Sequence, residues 1–298
     1  TLCGITHAEL VDNLTPELEQ LGQMQSLSRE GTVETMVRQY DGYHFHPSRE
    51  GVFNPFSALS ALRKREFGDY WFQTGTPTFL VELLKKSEFD LRILIDGVET
   101  QASAFTEYRA ERNNPIPLLY QSGYLTIKGY NSRFGIYSLG FPNREVEEGF
   151  IRFLMPFYTR VNKAEAPFEI QKFVREIENG QPDAFFRRLQ SFFADTPYEL
   201  ISDLELHYQN VLFIIFKLVG FYTEAEYHTS EGRVDLILKT EKYVYVMEFK
   251  LEGTAEEALR QIEEKHYALP FESDFRQLFK IGVNFSNRTR NIERWIVK

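Results

Sequence analysis

Residues 232–250 decide the fold of the second half of this chain, and they read GRVDLILKTEKYVYVMEFK. Two runs rich in Val, Ile, Leu and Tyr flank the polar segment Thr240-Glu241-Lys242, which predicts a β-hairpin. Because side chains alternate between the two faces of a strand, Glu248 and Lys250 share one face with two valines. The sequence therefore places a carboxylate and an ammonium on a face that is otherwise typical of a core.

Charged groups on such a face need partners, because an unpaired buried charge costs several kcal/mol. Asp235, on the earlier strand of the hairpin, supplies a second carboxylate. Two carboxylates suit Mg²⁺ or Mn²⁺, hard cations that take oxygen ligands. We predict that Asp235 and Glu248 bind the metal, that the carbonyl oxygen of Phe249 adds a third ligand, and that Lys250 supports an attacking water. A structural salt bridge is the alternative role for Lys250.

The elements around this hairpin predict an α/β domain with a mixed sheet. Residues 204–218 carry apolar side chains at helical spacing, and Gly220 ends that helix. Thr254 and Glu257 form a capping box that opens the next helix. Residues 279–285 alternate as a last strand before a basic tail. The order helix, three strands, helix, strand favours a mixed sheet.

The first half of the chain predicts short helices and one further hairpin. Thr6 begins a capping box, and Asn54 and Thr76 each precede a proline at the first position of a helix. Residues 120–139 predict two strands with a turn at residues 129–132.

The length of 298 residues exceeds the common single-domain size of about 100 to 200 residues, so we expect two domains. A helical pattern resumes at Glu145 after a proline-containing turn. We therefore predict domains at residues 1–145 and 146–298.

Composition excludes several classes of protein. The net charge of −9 argues against a protein that binds nucleic acid through an overall positive charge. A local basic groove is compatible with this net charge. No apolar run reaches the roughly 20 residues of a membrane span. The single cysteine, Cys3, cannot form an internal disulfide, which favours the cytoplasm. Because the first residue is Thr1, we expect this chain to be a piece of a longer polypeptide.

Asp235, followed by Glu248-Phe249-Lys250, resembles the motif of the PD-(D/E)XK nuclease superfamily. The resemblance implies a restriction-endonuclease-like domain and metal-dependent hydrolysis of nucleic acid, with DNA expected in preference to RNA. Gln261 on the following helix resembles a residue that supports the active site in this superfamily. Glu205 on the preceding helix is the candidate for an additional metal-binding acid. Their simpler interpretations are a solvated helix residue and an exposed carboxylate near a helix start.

Further motifs resemble a family of bacterial proteins that begin with an AAA-ATPase-like domain and end in a nuclease-like domain. The motifs are Tyr40-Asp41-Gly42-Tyr43, Phe53-Asn54-Pro55-Phe56-Ser57, Gly123-Tyr124-Leu125-Thr126-Ile127 and Ile281-Gly282-Val283. The resemblance implies that residues 1–145 are a mostly helical remnant of the ATPase-like domain, with a β-hairpin. The phosphate-binding pattern G-x-x-x-x-G-K-[ST] is absent from these residues, so we expect ATP to bind only through residues upstream of Thr1.

Arg233 beside the hairpin, and Arg288 and Arg290 in the basic tail, are candidates for contacts with nucleic-acid phosphates. A solvated basic edge is the alternative for the tail, and Arg233 can equally cap a sheet edge. The alternative to a nuclease is a catalytically inactive interaction module. In that case the acid–lysine cluster is a buried ion network in a protein whose ATPase supplies the activity.

Overall fold

The computed structural model describes residues 3–74, 78–105, 114–159, 161–194, 204–227, 235–251, 253–286 and 288–298. The chain divides into two compact units, Thr1–Phe150 and Ile151–Lys298. The division falls inside the helix Arg144–Tyr158, whose first turn contains the predicted boundary between residues 145 and 146. Within the described ranges, no helix has the length and apolar character needed to cross a membrane.

The first unit is mainly helical and contains one small sheet. Its helices are α1 (His7–Asn13), α2 (Thr15–Gln25), α3 (Arg29–Tyr40), α4 (Pro55–Lys64), α5 (Thr78–Lys86), α6 (Ile93–Asp96) and α7 (Ile116–Gln121). Strands β1 (Val98–Gln101), β2 (Thr126–Asn131) and β3 (Ile136–Gly140) form an antiparallel sheet in the order β1-β3-β2. Helix α8 (Arg144–Tyr158) continues into the second unit.

Two predicted helix starts are confirmed by side chains that satisfy free backbone N–H groups. At α1, the Thr6 hydroxyl accepts a hydrogen bond from Glu9 N at 3.1 Å, and the Glu9 carboxylate accepts one from Thr6 N at 2.8 Å. At α4, Asn54 Oδ1 accepts a hydrogen bond from Phe56 N at 2.9 Å. The predicted start at Thr76 lies outside the described residues.

The predicted hairpin of the first unit is present as β2 and β3, but its turn lies later than residues 129–132. Gly129 lies within the ladder, and the chain reverses further on, where Gly135 adopts a φ of +68°. The Asn131 side chain accepts a hydrogen bond from the N–H two residues ahead, which stabilises the turn at that place. Strand β1 was not predicted, because Val98 is the one apolar residue among its four.

The second unit packs helices on both faces of a five-stranded sheet. Its helices are α9 (Ala166–Glu178), α10 (Pro182–Ala194), α11 (Leu204–Gly220) and α12 (Ala255–Glu264). Its strands are β4 (Glu224–Tyr227), β5 (Leu236–Lys239), β6 (Tyr243–Lys250), β7 (Gln277–Ser286) and β8 (Asn291–Val297).

The sheet runs in the order β4-β5-β6-β7-β8. Strands β6 and β7 are parallel and are joined through α12, whereas the other neighbours are antiparallel. This mixed α/β architecture is the predicted one and is consistent with a restriction-endonuclease-like fold. The sequence interpretation was wrong about the basic tail, because residues 291–297 form the fifth strand.

Alternation along β6 separates two apolar layers. On one face, the Phe249 ring packs against Phe186 of α10 and Phe216 of α11, with ring centroids 6.5 and 5.6 Å apart. On the other face, Val244 and Val246 are fully buried in the layer that α12 covers. Glu248 continues the second face, so the predicted charged side chain lies on the side of the sheet that α12 occupies.

Candidate active site

The two predicted carboxylates lie side by side where β5 begins and β6 ends. Asp235 immediately precedes β5, and the antiparallel register pairs Leu236 with Met247, which brings Asp235 beside Glu248. The Phe249 N–H donates a hydrogen bond to Asp235 Oδ2 at 2.8 Å, and the Asp235 N–H donates to Glu248 Oε2 at 3.4 Å. These two backbone donors hold the carboxylates next to each other.

Helix α12 connects this pair to the predicted lysine. Gln261 Nε2 donates a hydrogen bond to Glu248 Oε1, and Lys250 Nζ donates one to Gln261 Oε1. Lys250 Nζ lies 3.6 Å from Glu248 Oε1, which is an ion pair longer than a direct hydrogen bond. The amide of Gln261 therefore bridges the two groups, because its nitrogen donates to the acid and its oxygen accepts from the amine.

The electrostatics of the cluster centre on Glu248, which is only 3% exposed. Burial, followed by the negative charge of Asp235, raises the pKa of Glu248 to about 7, although the Lys250 ammonium acts in the opposite direction. Burial disfavours an isolated carboxylate, and a nearby negative charge adds to that effect. A cation beside the two carboxylates would favour the ionised form.

The donor set fits a hard divalent cation. Two adjacent carboxylates, with the Phe249 carbonyl as the predicted third ligand, make an all-oxygen set of the kind that Mg²⁺ and Mn²⁺ prefer. Burial and the charge of Asp235 raise the pKa of Glu248, and a cation bound to both carboxylates would oppose the effect of the Asp235 charge. In the described part of the chain, no group of three or more His, Cys, Asp or Glu side chains is arranged to hold a metal ion.

Glu205, the additional acid expected from the sequence, is not brought to this pair. It lies exposed in the first turn of α11, where its Oε1 accepts a hydrogen bond from Gln209 Nε2 at 3.3 Å. Helix α11 packs on the opposite face of the sheet, through the contact of Phe216 with Phe249. A negative side chain in the first turn of a helix is favoured by the helix dipole, which accounts for Glu205 without a metal.

The arginines predicted to bind phosphate lie in different places. Arg288 and Arg290 lie in the turn between β7 and β8, and Arg290 has a left-handed φ of +55°. The Arg288 side chain is 86% exposed and lies 3.8 Å from Glu293. Arg233 lies outside the described residues.

Acidic side chains within the same unit compensate much of the basic charge near the C-terminus. The pairs are Arg294 with Glu256 at 2.8 Å, Lys298 with Glu263 at 2.9 Å, Lys280 with Glu272 at 3.0 Å and Arg276 with Asp274 at 2.5 Å. Phosphate binding depends on positive charge that can replace counterions. The basic composition of this segment is therefore a weak reason to assign it to nucleic acid.

Strand β7 contributes two residues to the site face that sequence reasoning had not assigned to the site. The parallel register pairs Gly282 with Glu248 and Asn284 with Lys250, so both belong to the face with the charged residues. Asn284 is 6% exposed, and its Nδ2 donates to Glu293 Oε2 at 3.3 Å. The sequence did contain a signal for these two positions, because glycine and asparagine are unusual within an apolar strand.

Comparison with known sequences assigns a superfamily to the part of the chain that contains this site. Residues 203–295 match the sequence profile of the PD-(D/E)XK nuclease superfamily. This region is a PD-(D/E)XK nuclease superfamily domain. Along its whole length the chain is 30% identical to a protein of Azotobacter chroococcum mcd 1, described as "Uncharacterized protein in vnfD 5'region". The chain spans 57% of that relative's length. No solved structure gives a significant match.

The structural support of the nuclease superfamily domain extends beyond the matched residues. Tyr245 of β6 donates a hydrogen bond through its hydroxyl to the Ile177 carbonyl of α9 at 2.6 Å. Trp295 of β8 donates through Nε1 to Asp183 of α10 at 2.8 Å. Helices α9 and α10 thus complete the aromatic face of the sheet, although they precede residue 203.

Proposed function

We propose that this protein hydrolyses phosphodiester bonds of nucleic acid in a reaction that depends on Mg²⁺ or Mn²⁺, with DNA as the preferred substrate. The observation that carries the proposal is the closed cluster on one sheet face: Asp235 and Glu248 side by side, with Gln261 joining Glu248 to Lys250. The superfamily of residues 203–295 supports the same reaction class. The preference for DNA rests on the sequence resemblance.

In this proposal each side chain has one role. Asp235 and Glu248 hold the cation, together with the Phe249 carbonyl. The cation, when bound, offsets negative charge that develops on the phosphate. Lys250 orients the attacking water and contributes positive charge near the phosphate. Gln261 fixes the separation between Lys250 and Glu248, so that the amine does not form a direct hydrogen-bonded ion pair with the acid.

Nuclease measurements on purified variants test the proposal. Wild type should cleave DNA in the presence of Mn²⁺ or Mg²⁺, whereas Asp235→Ala should lose at least 100-fold in rate, about the effect of removing one charge-stabilising group from an active site. Glu224→Ala is the control, because Glu224 is a 77% exposed carboxylate of the same sheet. Equal cleavage by wild type and Asp235→Ala would remove the proposed role of the pair.

The second candidate is a catalytically inactive interaction module. It is favoured by one observation: Gln261 satisfies both Glu248 and Lys250, so the cluster can persist as a polar network without an ion. Titration with Mn²⁺ separates the two candidates. A metal site gains thermal stability from an ion that binds only the folded state, whereas an inert network gains none.

We further propose, from the sequence resemblance alone, that the first unit derives from the C-terminal part of an AAA-ATPase-like domain. ATP would then bind through residues that precede this chain. The motifs around Asp41 and Asn54 support this interpretation. A cytoplasmic location, expected from the single Cys3, likewise stays a prediction.

A further inference from the structure

We propose that Gly282 is a positioning residue for the active site. Because β7 has no side chain at this point, α12 can lie deep enough on the sheet for Gln261 to reach both Glu248 and Lys250. The catalytic consequence rests on the proposed nuclease function, whereas the effect on Gln261 can be measured without it.

The close approach is made by the backbone of α12. A Cβ atom added to Gly282 would lie 2.2 Å from the Ala255 carbonyl oxygen, 2.5 Å from Leu259 N and 3.0 Å from Leu259 Cα. None of these atoms can rotate away as a flexible side chain can. Any residue larger than glycine must therefore move the helix or the strand.

The helix is the element that can move. Strand β7 is hydrogen-bonded on both sides, to β6 and to β8, whereas the outer face of α12 carries exposed residues such as Arg260 and Glu264. A contact with a carbon atom ordinarily needs about 3.5 Å, so the helix would retreat by about 1 Å. Hydrogen bonds weaken steeply over such a distance.

The displacement would act directly on the active site. Gly282 is the register partner of Glu248. A Cβ at Gly282 would clash with the backbone of Leu259, and Gln261 lies two positions further along α12. An outward shift at Leu259 therefore withdraws the Gln261 amide from Glu248 and Lys250. The two charged groups would then lose the bridge that fixes their separation.

A second strand glycine provides a matched control. Gly129 lies in β2 of the first unit, and a Cβ there would meet only Ser138 side-chain atoms, at 3.8 Å. Gly129→Ala makes the same chemical change in a strand without a steric conflict. Any effect of Gly282→Ala beyond that of Gly129→Ala then reflects the approach of α12.

The experiment is a double-mutant cycle on the full chain, with Gly282→Ala, Gln261→Ala, the double variant and Gly129→Ala. With Mn²⁺ and DNA, Gly282→Ala should lower kcat by about 10- to 100-fold with little change in KM, as expected when a catalytic group is displaced by about 1 Å. Adding Gln261→Ala should cause little further loss, because both changes remove the same contact. Multiplicative losses, or unchanged kcat in Gly282→Ala, would overturn the proposal.

A readout independent of cleavage keeps the positioning role separate from the nuclease function. The side-chain amide signal of Gln261 in ¹H–¹⁵N NMR, identified by its loss in Gln261→Ala, should show slow hydrogen exchange in wild type and fast exchange in Gly282→Ala. Unchanged exchange would refute the positioning role even if the protein cleaves DNA. Changed exchange in a protein that cleaves nothing would support the positioning role and count against the nuclease.

If Gly282→Ala does not fold, Ala258→Leu replaces it. Ala258 is fully buried on α12, so a leucine there overpacks the interior. We expect this to displace the helix outward, with the added volume on the helix instead of on β7. The same acceleration of Gln261 exchange is expected. Retention of the wild-type exchange rate in a folded Ala258→Leu protein would overturn the claim that the depth of α12 controls Gln261.

Discussion

Glu248→Gln should make the protein without metal more stable at alkaline pH, although it removes a proposed metal ligand. The pKa of Glu248 is raised from 4.5 to about 7, chiefly by burial. The folded state therefore binds this proton more tightly than the unfolded chain does. The resulting stabilisation is complete below about pH 4.5 and is lost as the pH rises through about 7. Over the whole range the loss is about 3 kcal/mol, since one pKa unit corresponds to about 1.4 kcal/mol.

The assay is urea unfolding of wild type and Glu248→Gln between about pH 5.5 and pH 8.5, in the presence of a chelator. Across this interval, the free energy of unfolding of the variant should rise by about 2 kcal/mol relative to wild type, because glutamine does not titrate. Taking the difference between the two proteins cancels the titration of the shared groups that do not interact with Glu248, which leaves Asp235 and Lys250 as its charged neighbours. Glu224→Gln is the control, because it removes an exposed carboxylate from the same sheet.

Two results would refute this reasoning. A difference in unfolding free energy that stays constant across the pH range would mean that Glu248 does not titrate near neutrality in the folded protein. A variant that gains as much thermal stability from Mn²⁺ as wild type does would mean that Glu248 is not a ligand.

Three further predictions concern other side chains. Lys250→Met should lower the rate of DNA cleavage by about 100-fold or more while Mn²⁺ still raises the melting temperature, because the amine serves the reaction and not the ion; loss of the Mn²⁺ effect would contradict this. Glu145 is 1% exposed and accepts hydrogen bonds from Tyr70 N and Trp71 N. Glu145→Ala should therefore lower the free energy of unfolding of the first unit by about 2–5 kcal/mol, measured by urea unfolding, and Glu145→Gln should lower it by less. Equal losses in the two variants would show that the acceptor oxygen is unimportant. Thr254→Ala should cost about 1 kcal/mol by the same measurement, with Thr254→Ser close to wild type, because the capping box of α12 needs the hydroxyl.

The parts of the fold that the sequence predicts are those fixed by local interactions. The alternation of residues 243–250 determines which side chains share a face, and the short turn before Tyr243 brings β5 and β6 together. The capping box at Thr254 is likewise complete within four residues, so the start of α12 follows from sequence alone. These local rules place Asp235 beside Glu248.

Elements that depend on distant pairing could not be read in the same way. Strand β8 has a charged, irregular pattern and is a strand because it pairs with β7 through a ladder that contains a bulge. Glu145 is buried because the backbone N–H groups of Tyr70 and Trp71, more than seventy positions earlier, need an acceptor. Neither partner is visible in the residues around it.

The same distinction applies to the site. Gln261 could be proposed from its resemblance, but its two hydrogen bonds depend on how deeply α12 lies on β7, which Gly282 determines. Glu205 was selected by its position along the chain, and the side of the sheet on which α11 packs is a property of the whole core. Helix-to-sheet packing therefore separates the residues that converge from those that only match a pattern.

The direction of the Glu248 effect also bears on the choice between a nuclease and an inert module. A network that serves stability alone should place its acid where ionisation is favourable, so that replacing it with glutamine weakens the fold at every pH at which the acid is ionised. Here burial and the charge of Asp235 make ionisation of Glu248 unfavourable, despite Lys250. Such a conflict is expected where a binding site costs stability for the sake of a ligand. A divalent cation would remove the conflict, because it supplies positive charge to both carboxylates at once.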